Sequence, residues 1–294
     1  MITGSLVALV TPFHLDSYKI DWNSLKRLID WHVEQDTDGI VIAGTTGESS
    51  TLDVDEHSRS IDFVVKYVDR RVPVIAGTGA NCTREAVALT RIAKEAGADA
   101  CLLVTPYYNK PSQEGLYLHF KTIAQQVDIP LILYNVPSRT ACDLSTDVVL
   151  KLAMLNNICG IKDATGDLDR GSQILSRRPS DFAVYSGDDI SARKLISAGA
   201  DGNISVTANI APKLMAQMCK AALLRKNLEA EDIDEILRSL HIALFLESNP
   251  IPVKWAMSRM GLIENALRLP LTPMSESNVA AVEKAMGNAK INFY

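Results

Sequence analysis

The sequence predicts an α/β protein, a (β/α)8 TIM barrel with a C-terminal helical extension. Three observations predict it: eight short apolar runs bounded by turn residues, a helix-period pattern after each, and no Gly-x-Gly-x-x-Gly turn after the first run. The last of these counts against a doubly wound open sheet, the competing architecture for alternating strands and helices. A strand covered on both faces has no polar side to show, so it reads as a continuous apolar run. The runs are Leu6 to Val10, Gly39 to Ala43, Val72 to Ala76, Ala100 to Val104, Ile129 to Leu133, Ile158 to Ile161, Phe182 to Tyr185 and Gly202 to Val206. Between the first two, Leu25, Leu28, Ile29 and Val33 recur at helix spacing; between the third and fourth, a helix from about Thr83 ends at Gly97, a residue suited to the left-handed cap. More chain follows Val206 than one closing helix requires. It reads as helical from about Pro212, and the acidic stretch Lys226 to Glu235 reads as a solvated surface where a separate appendage begins. The expected division is a catalytic barrel over 1–225 and a helical domain over 226–294.

Composition excludes several classes of function. With 294 residues, 47% of them hydrophobic, the chain can bury a large core, and its formal charge of −5 comes with no Lys/Arg cluster suited to nucleic acid or an anionic membrane. No lysine or arginine precedes Lys19 and the first apolar run is too short to span a bilayer, so a cytoplasmic location is expected. The five cysteines, Cys82, Cys101, Cys142, Cys159 and Cys219, have no Cys-x-x-Cys spacing and are expected to be reduced thiols. The five histidines show no close ligand spacing, so no metal is expected, and Asp55-Glu56-His57 reads as the opening of a solvated helix.

Chemistry in such a fold gathers at the carboxyl ends of the strands. Those ends carry Gly44-Thr45-Thr46-Gly47-Glu48, Thr105-Pro106-Tyr107-Tyr108-Asn109, Tyr134-Asn135-Val136-Pro137-Ser138-Arg139-Thr140, Lys162 and Ser186-Gly187-Asp188-Asp189. Lys162 closes an apolar run and precedes a polar turn, which places its stem in low dielectric and its amine at the mouth of the barrel. Free lysine, with a pKa of about 10.4, is neutral in roughly one molecule in 2,500 at pH 7; burial raises that fraction, and a neutral amine can form a Schiff base with a carbonyl. Neither Gly44 to Glu48 nor Gly77 to Asn81 continues into Gly-Lys-Ser/Thr, so a nucleotide P-loop is not expected. A Gly-Thr-Thr-Gly turn at a strand-to-helix junction can instead aim backbone N–H groups at a small anion such as a carboxylate, or simply cap the helix.

Gly44 to Glu48, Val104 to Gly115, Leu133 to Thr140, Gly160 to Gly166 and Asn249-Pro250-Ile251-Pro252-Val253-Lys254 resemble the dihydrodipicolinate synthase family of pyruvate-dependent lyases. The resemblance covers essentially the whole chain. Gly-x-Thr-Gly-Glu and Lys-x-x-Thr are shared with N-acetylneuraminate lyase and 2-keto-3-deoxygluconate aldolase, whereas Asn135 to Thr140 is the more selective motif.

The resemblance implies condensation of pyruvate with L-aspartate 4-semialdehyde in the diaminopimelate route to lysine, through a covalent imine on Lys162 and with no external cofactor. Tyr134 matches the general acid/base, joined through Thr45 to Tyr108 in a proton relay. Thr45 and Thr46 match the residues that hold the pyruvate carboxylate. Arg139 matches the residue that takes the carboxylate of the second substrate. Gly187, Asp188 and Ile204 match positions lining the pocket. Tyr108 matches a tyrosine that enters the site of a neighbouring subunit, which implies a homo-oligomer, a tetramer built as a dimer of dimers. Ser49, His57, Asn81, Glu85 and Tyr107 match an interface site for L-lysine as an inhibitor, with Val54 departing from a position often held by histidine. The other readings are a sister aldolase acting on a keto-sugar acid, disfavoured by Arg139, and a non-catalytic ligand sensor, disfavoured by the presence of Lys162, Tyr108 and Tyr134.

Overall fold

The computed structural model describes residues 1–293. Eight parallel strands close into a barrel in sequence order, β1 (Gly4–Ala8), β2 (Gly39–Ile42), β3 (Val74–Gly77), β4 (Ala100–Val104), β5 (Leu131–Asn135), β6 (Ile158–Asp163), β7 (Ala183–Ser186) and β8 (Gly202–Ser205), with β8 pairing back onto β1. Strand positions differ from several of the apolar runs: β1 begins and ends two residues before its run, and two other differences have a backbone cause. Proline has no N–H to give a ladder, so Pro73 and Pro130 delay β3 and β5 by two residues beyond the start of their runs. The delay carries β5 through Tyr134 and Asn135, which therefore sit in the ladder and not in a turn.

Helices follow the strands: α1 (Trp22–Glu34), α2 (Val54–Val68), α3 (Thr83–Ala96), α4 (Gln113–Gln126), the short α5 (Pro137–Thr140), α6 (Thr146–Leu152), α7 (Leu168–Arg177), α8 (Asp189–Ser197) and α9 (Pro212–Leu223). Several of their starts are fixed by side-chain caps. Asp21 accepts from the N–H groups of Asn23 and Ser24, Asp53 from Glu56, Ser112 from Gly115 and Asp167 from Asp169 and Arg170. Helix α3 ends at Gly97, whose φ of +89° is the left-handed cap the sequence suggests.

The strand period of two divides the core. Leu131 and Leu133 of β5 face the helical ring, while Ile132 and Tyr134 join Leu6, Val41, Ala183 and Tyr185 inside the barrel. Among the described residues three further helices follow, α10 (Asn227–Ala243), α11 (Ile251–Arg259) and α12 (Glu276–Asn288), with α10 packed on α8 and α9 and α12 on α10 and α11. The stretch Lys226 to Glu235 is not wholly solvated: it forms the start of α10, where Ala230 and Asp234 are buried. A 3.6-residue period turns one side of even a strongly charged helix inward, and Arg193 meets the buried carboxylate of Asp234 at 3.1 Å.

Candidate active site

Lys162 and Tyr134 are ladder partners on β6 and β5, so their side chains leave the same face of adjacent strands and meet inside the barrel mouth. Lys162 is 5% exposed, and its Nζ lies 4.4 Å from the centroid of the Tyr134 ring. Its chain neighbour Asp163 points to the opposite face, where Arg170 claims it through an Nε–Oδ2 contact of 2.7 Å. Gly187 leaves room for the lysine stem, because a Cβ there would stand 2.8 Å from Cε of Lys162. Lys162, Tyr134, Thr46, Arg139, Gly187 and Asp188 line one cavity of about 540 Å³.

The turn after β2 supplies Thr46. The backbone N–H of Glu48 bonds back to the carbonyl of Thr45 at 3.1 Å, and Glu48 adopts a left-handed conformation with φ of 53°. That conformation buries the Glu48 carboxylate completely, where it pairs with Nζ of Lys254 on α11 at 2.5 Å. Lys254 also donates to the carbonyl of Thr11 at 2.9 Å. Desolvation lowers its pKa to about 8 although Glu48 opposes that shift. The second carboxylate oxygen of Glu48 accepts from the backbone of Arg268, and Arg268 in turn holds both oxygens of Glu56. The threonine turn is thereby anchored to the C-terminal helices by a buried ion pair.

Arg139 stands at the cavity mouth on α5, its Nη2 donating to the carbonyl of Asn249 at 3.2 Å. Asp188 spends part of its carboxylate capping α8, accepting from the backbone of Ser191 at 3.0 Å and from its hydroxyl at 2.6 Å. The side chain of Ile204 packs inside the barrel opposite Leu6 and is not among the cavity's lining residues. Thr45 is half-buried in the turn beside Thr46. Seven lining residues carry no individual signal in the sequence: Val136, Ser138, Ala164, Val206, Phe245, Ser248 and Asn249. The last three come from the connection between α10 and α11, far along the chain from any strand end. Asn249 had a signal only as part of the Asn-Pro-Ile-Pro-Val-Lys segment.

Tyr108 does not reach this cavity within its own chain. It is 89% exposed and held at φ of 76°, a conformation that a bulky side chain rarely adopts. Nearby, Asn81 donates to the carbonyl of Tyr107 at 3.2 Å and its own carbonyl accepts from Asn109 at 2.9 Å. His57 is buried, contrary to the solvated helix start read from Asp55-Glu56-His57: it lies on the inward side of α2, and its Nε2 donates to the carbonyl of Gly77 at 2.7 Å. Because a carbonyl only accepts, Nδ1 is left as an acceptor in the neutral ring. Burial lowers the pKa of His57, and the nearby Glu85 carboxylate opposes that shift; burial and the same carboxylate together raise the pKa of Tyr107. Glu85, His57, Tyr107 and Asn81 thus form one polar neighbourhood, while Ser49 opens a single-turn 3-10 helix directly after the threonine turn.

Residues 1–289 match the model of the dihydrodipicolinate synthetase family. A 4-hydroxy-tetrahydrodipicolinate synthase from Nitrosomonas europaea is 58% identical over 291 residues, covering 99% of each chain. The crystal structure of the chloride-inhibited dihydrodipicolinate synthase from Acinetobacter baumannii complexed with pyruvate superposes with a TM-score of 0.98 at 54% identity, covering 99% of this chain and 100% of that one. The enzyme from Cyanidioschyzon merolae with lysine bound superposes at 0.96 with 37% identity and 99% coverage of both. With a closed barrel that presents a buried lysine beside a tyrosine, and with whole-length similarity on this scale, the chain belongs to the dihydrodipicolinate synthetase family.

Proposed function

We propose that the chain is a lyase that condenses pyruvate with L-aspartate 4-semialdehyde, the activity named for its close relatives, and that Lys162 is the residue that carries it. The supporting observation is the placement of Lys162: a buried stem, an amine beside the Tyr134 ring, and a cavity shared with Thr46 and Arg139. Nζ attacks the keto carbon of pyruvate and water leaves as the imine forms. Loss of a methyl proton gives the enamine, whose terminal carbon attacks the aldehyde. The amino group of the second substrate then adds to the imine carbon and displaces Nζ, closing the ring and freeing the lysine without any external cofactor. Tyr134 is the acid and base for these proton transfers, given its place beside Nζ. Thr45 and Thr46 take the pyruvate carboxylate, Arg139 takes the carboxylate of the aldehyde, and Gly187, Asp188 and the backbone of Ile204 complete the pocket.

Tyr108 serves the site of a second copy. Its exposure and left-handed backbone support that role, with Thr45 linking it to Tyr134 across the subunit boundary of a tetramer built as a dimer of dimers. L-lysine binds where Glu85 can meet its ammonium and Asn81 and Tyr107 its carboxylate, with Ser49 and His57 alongside. Turnover of pyruvate with aspartate semialdehyde, measured against a panel of keto-sugar acids, tests the assignment. Preference for the aldehyde of the amino acid is the expected result, and preference for a sugar acid would move the chain to a sister aldolase.

A further inference from the structure

We propose that Asn249 is a positioning residue that sets the direction of the Thr46 hydroxyl proton and thereby prepares Thr46 to receive a carboxylate. This rests on the reading of Thr46 as a ligand of the pyruvate carboxylate. Asn249 is 5% exposed and lines the cavity between α10 and α11. Its Nδ2 donates to Oγ1 of Thr46 at 3.0 Å. A hydroxyl that accepts from an amide N–H turns its own proton away from that amide, and among the described residues the Thr46 hydroxyl donates to nothing. Both residues face the same cavity, so the free proton is available to an anion there.

The arrangement has a cost that a merely space-filling asparagine would avoid. With Nδ2 committed to Thr46, the buried Oδ1 of Asn249 has no hydrogen-bond partner among the described residues. The same residue touches the second carboxylate ligand by a separate route, since its backbone carbonyl accepts from Nη2 of Arg139 at 3.2 Å. Substitution at 249 alters the side chain and retains that carbonyl. The side chain therefore governs pyruvate and leaves the aldehyde subsite nearly untouched.

Thr46→Val, Asn249→Ala and the double variant test this, scored by the half-saturating pyruvate concentration for borohydride trapping, which needs no second substrate, and by KM for each substrate in turnover. Each single change should raise the pyruvate value by about tenfold or more, the scale of one hydrogen bond to a charged group, and the double should be no worse than the weaker single variant. KM for the aldehyde should stay within about twofold of the parent in Asn249→Ala. Asn249→Asp keeps the shape but only accepts at neutral pH, so it should be as impaired as Asn249→Ala and recover as acid protonates the introduced carboxyl. Multiplicative losses in the double variant, a tolerant Asn249→Asp, or parallel rises in both KM values would overturn the assignment. An unchanged pyruvate value in Thr46→Val would instead show that Thr46 does not hold the carboxylate, and the role of Asn249 would fall with it.

Discussion

Two lysines are buried at the same end of this barrel, and they have opposite surroundings. Lys254 is 0% exposed, seated over Phe13 at 4.3 Å and locked to Glu48 and the carbonyl of Thr11. Lys162 is 5% exposed and opens onto a cavity, with a tyrosine ring beside it and its neighbouring carboxylate already taken by Arg170. Burial alone therefore does not make a nucleophile. An amine bonded on several sides cannot approach a carbonyl, however much desolvation favours its neutral form, whereas an amine that opens onto a cavity beside a phenol has room to do so.

The largest expected effect is a crossed one. Lys162→Ala should lose all measurable turnover while its melting temperature changes little, because a small cavity-lining truncation leaves the barrel closed. Lys254→Met should keep the capacity for imine formation and lose stability by about 3 to 5 kcal/mol, since Glu48 would be left as an uncompensated buried charge. Replacing both partners, Glu48→Gln with Lys254→Met, should recover most of that loss. Thermal and denaturant unfolding of the three variants measures the first part, and equal destabilisation of single and double variants would contradict the ion-pair account.

A smaller effect separates the two carboxylate subsites. Among the described residues the Arg139 side chain donates only to the carbonyl of Asn249 and stands near solvent, so Arg139→Ala should cost about 1.5 to 3 kcal/mol in kcat/KM for aspartate semialdehyde, with pyruvate trapping intact. Steady-state kinetics with each substrate varied in turn checks this; equal losses for both substrates would mean that the arginine supports the whole pocket. The smallest effect is regulatory. L-lysine at millimolar levels should inhibit partially and not simply compete with pyruvate, and the apolar Val54 should weaken binding by about 0.5 to 1.5 kcal/mol relative to a hydrogen-bonding side chain. Glu85→Gln should relieve that inhibition, and a flat response of the parent enzyme to L-lysine would remove the effector site from the account.

The comparison of the lysines also shows what a single sequence discloses. The barrel is legible because strands buried on both faces write eight continuous apolar runs; two errors of position fall where Pro73 and Pro130 withhold a backbone donor, whereas β1 begins two residues before its run with no such cause. Lys162 and Tyr134 are legible at strand ends, and Arg139 in the motif that follows β5. The pairing of Glu48 with Lys254 is not, because 206 residues separate them and nothing in local pattern marks a partner at that distance. The bond from Asn249 to Thr46 is hidden for the same reason. His57 was misread because an acidic helix start suggests solvent, while the inward side of α2 is set by tertiary packing against β3.

On these grounds Lys162, and not Lys254, should form the imine. Incubation with pyruvate and borohydride, followed by tryptic digestion, decides between them directly. One reduced pyruvyl adduct is expected on the peptide from Leu152 to Arg170, with cleavage after Lys162 blocked. An adduct on the peptide from Ser239 to Arg259, which contains Lys254, or no adduct at all, would contradict it.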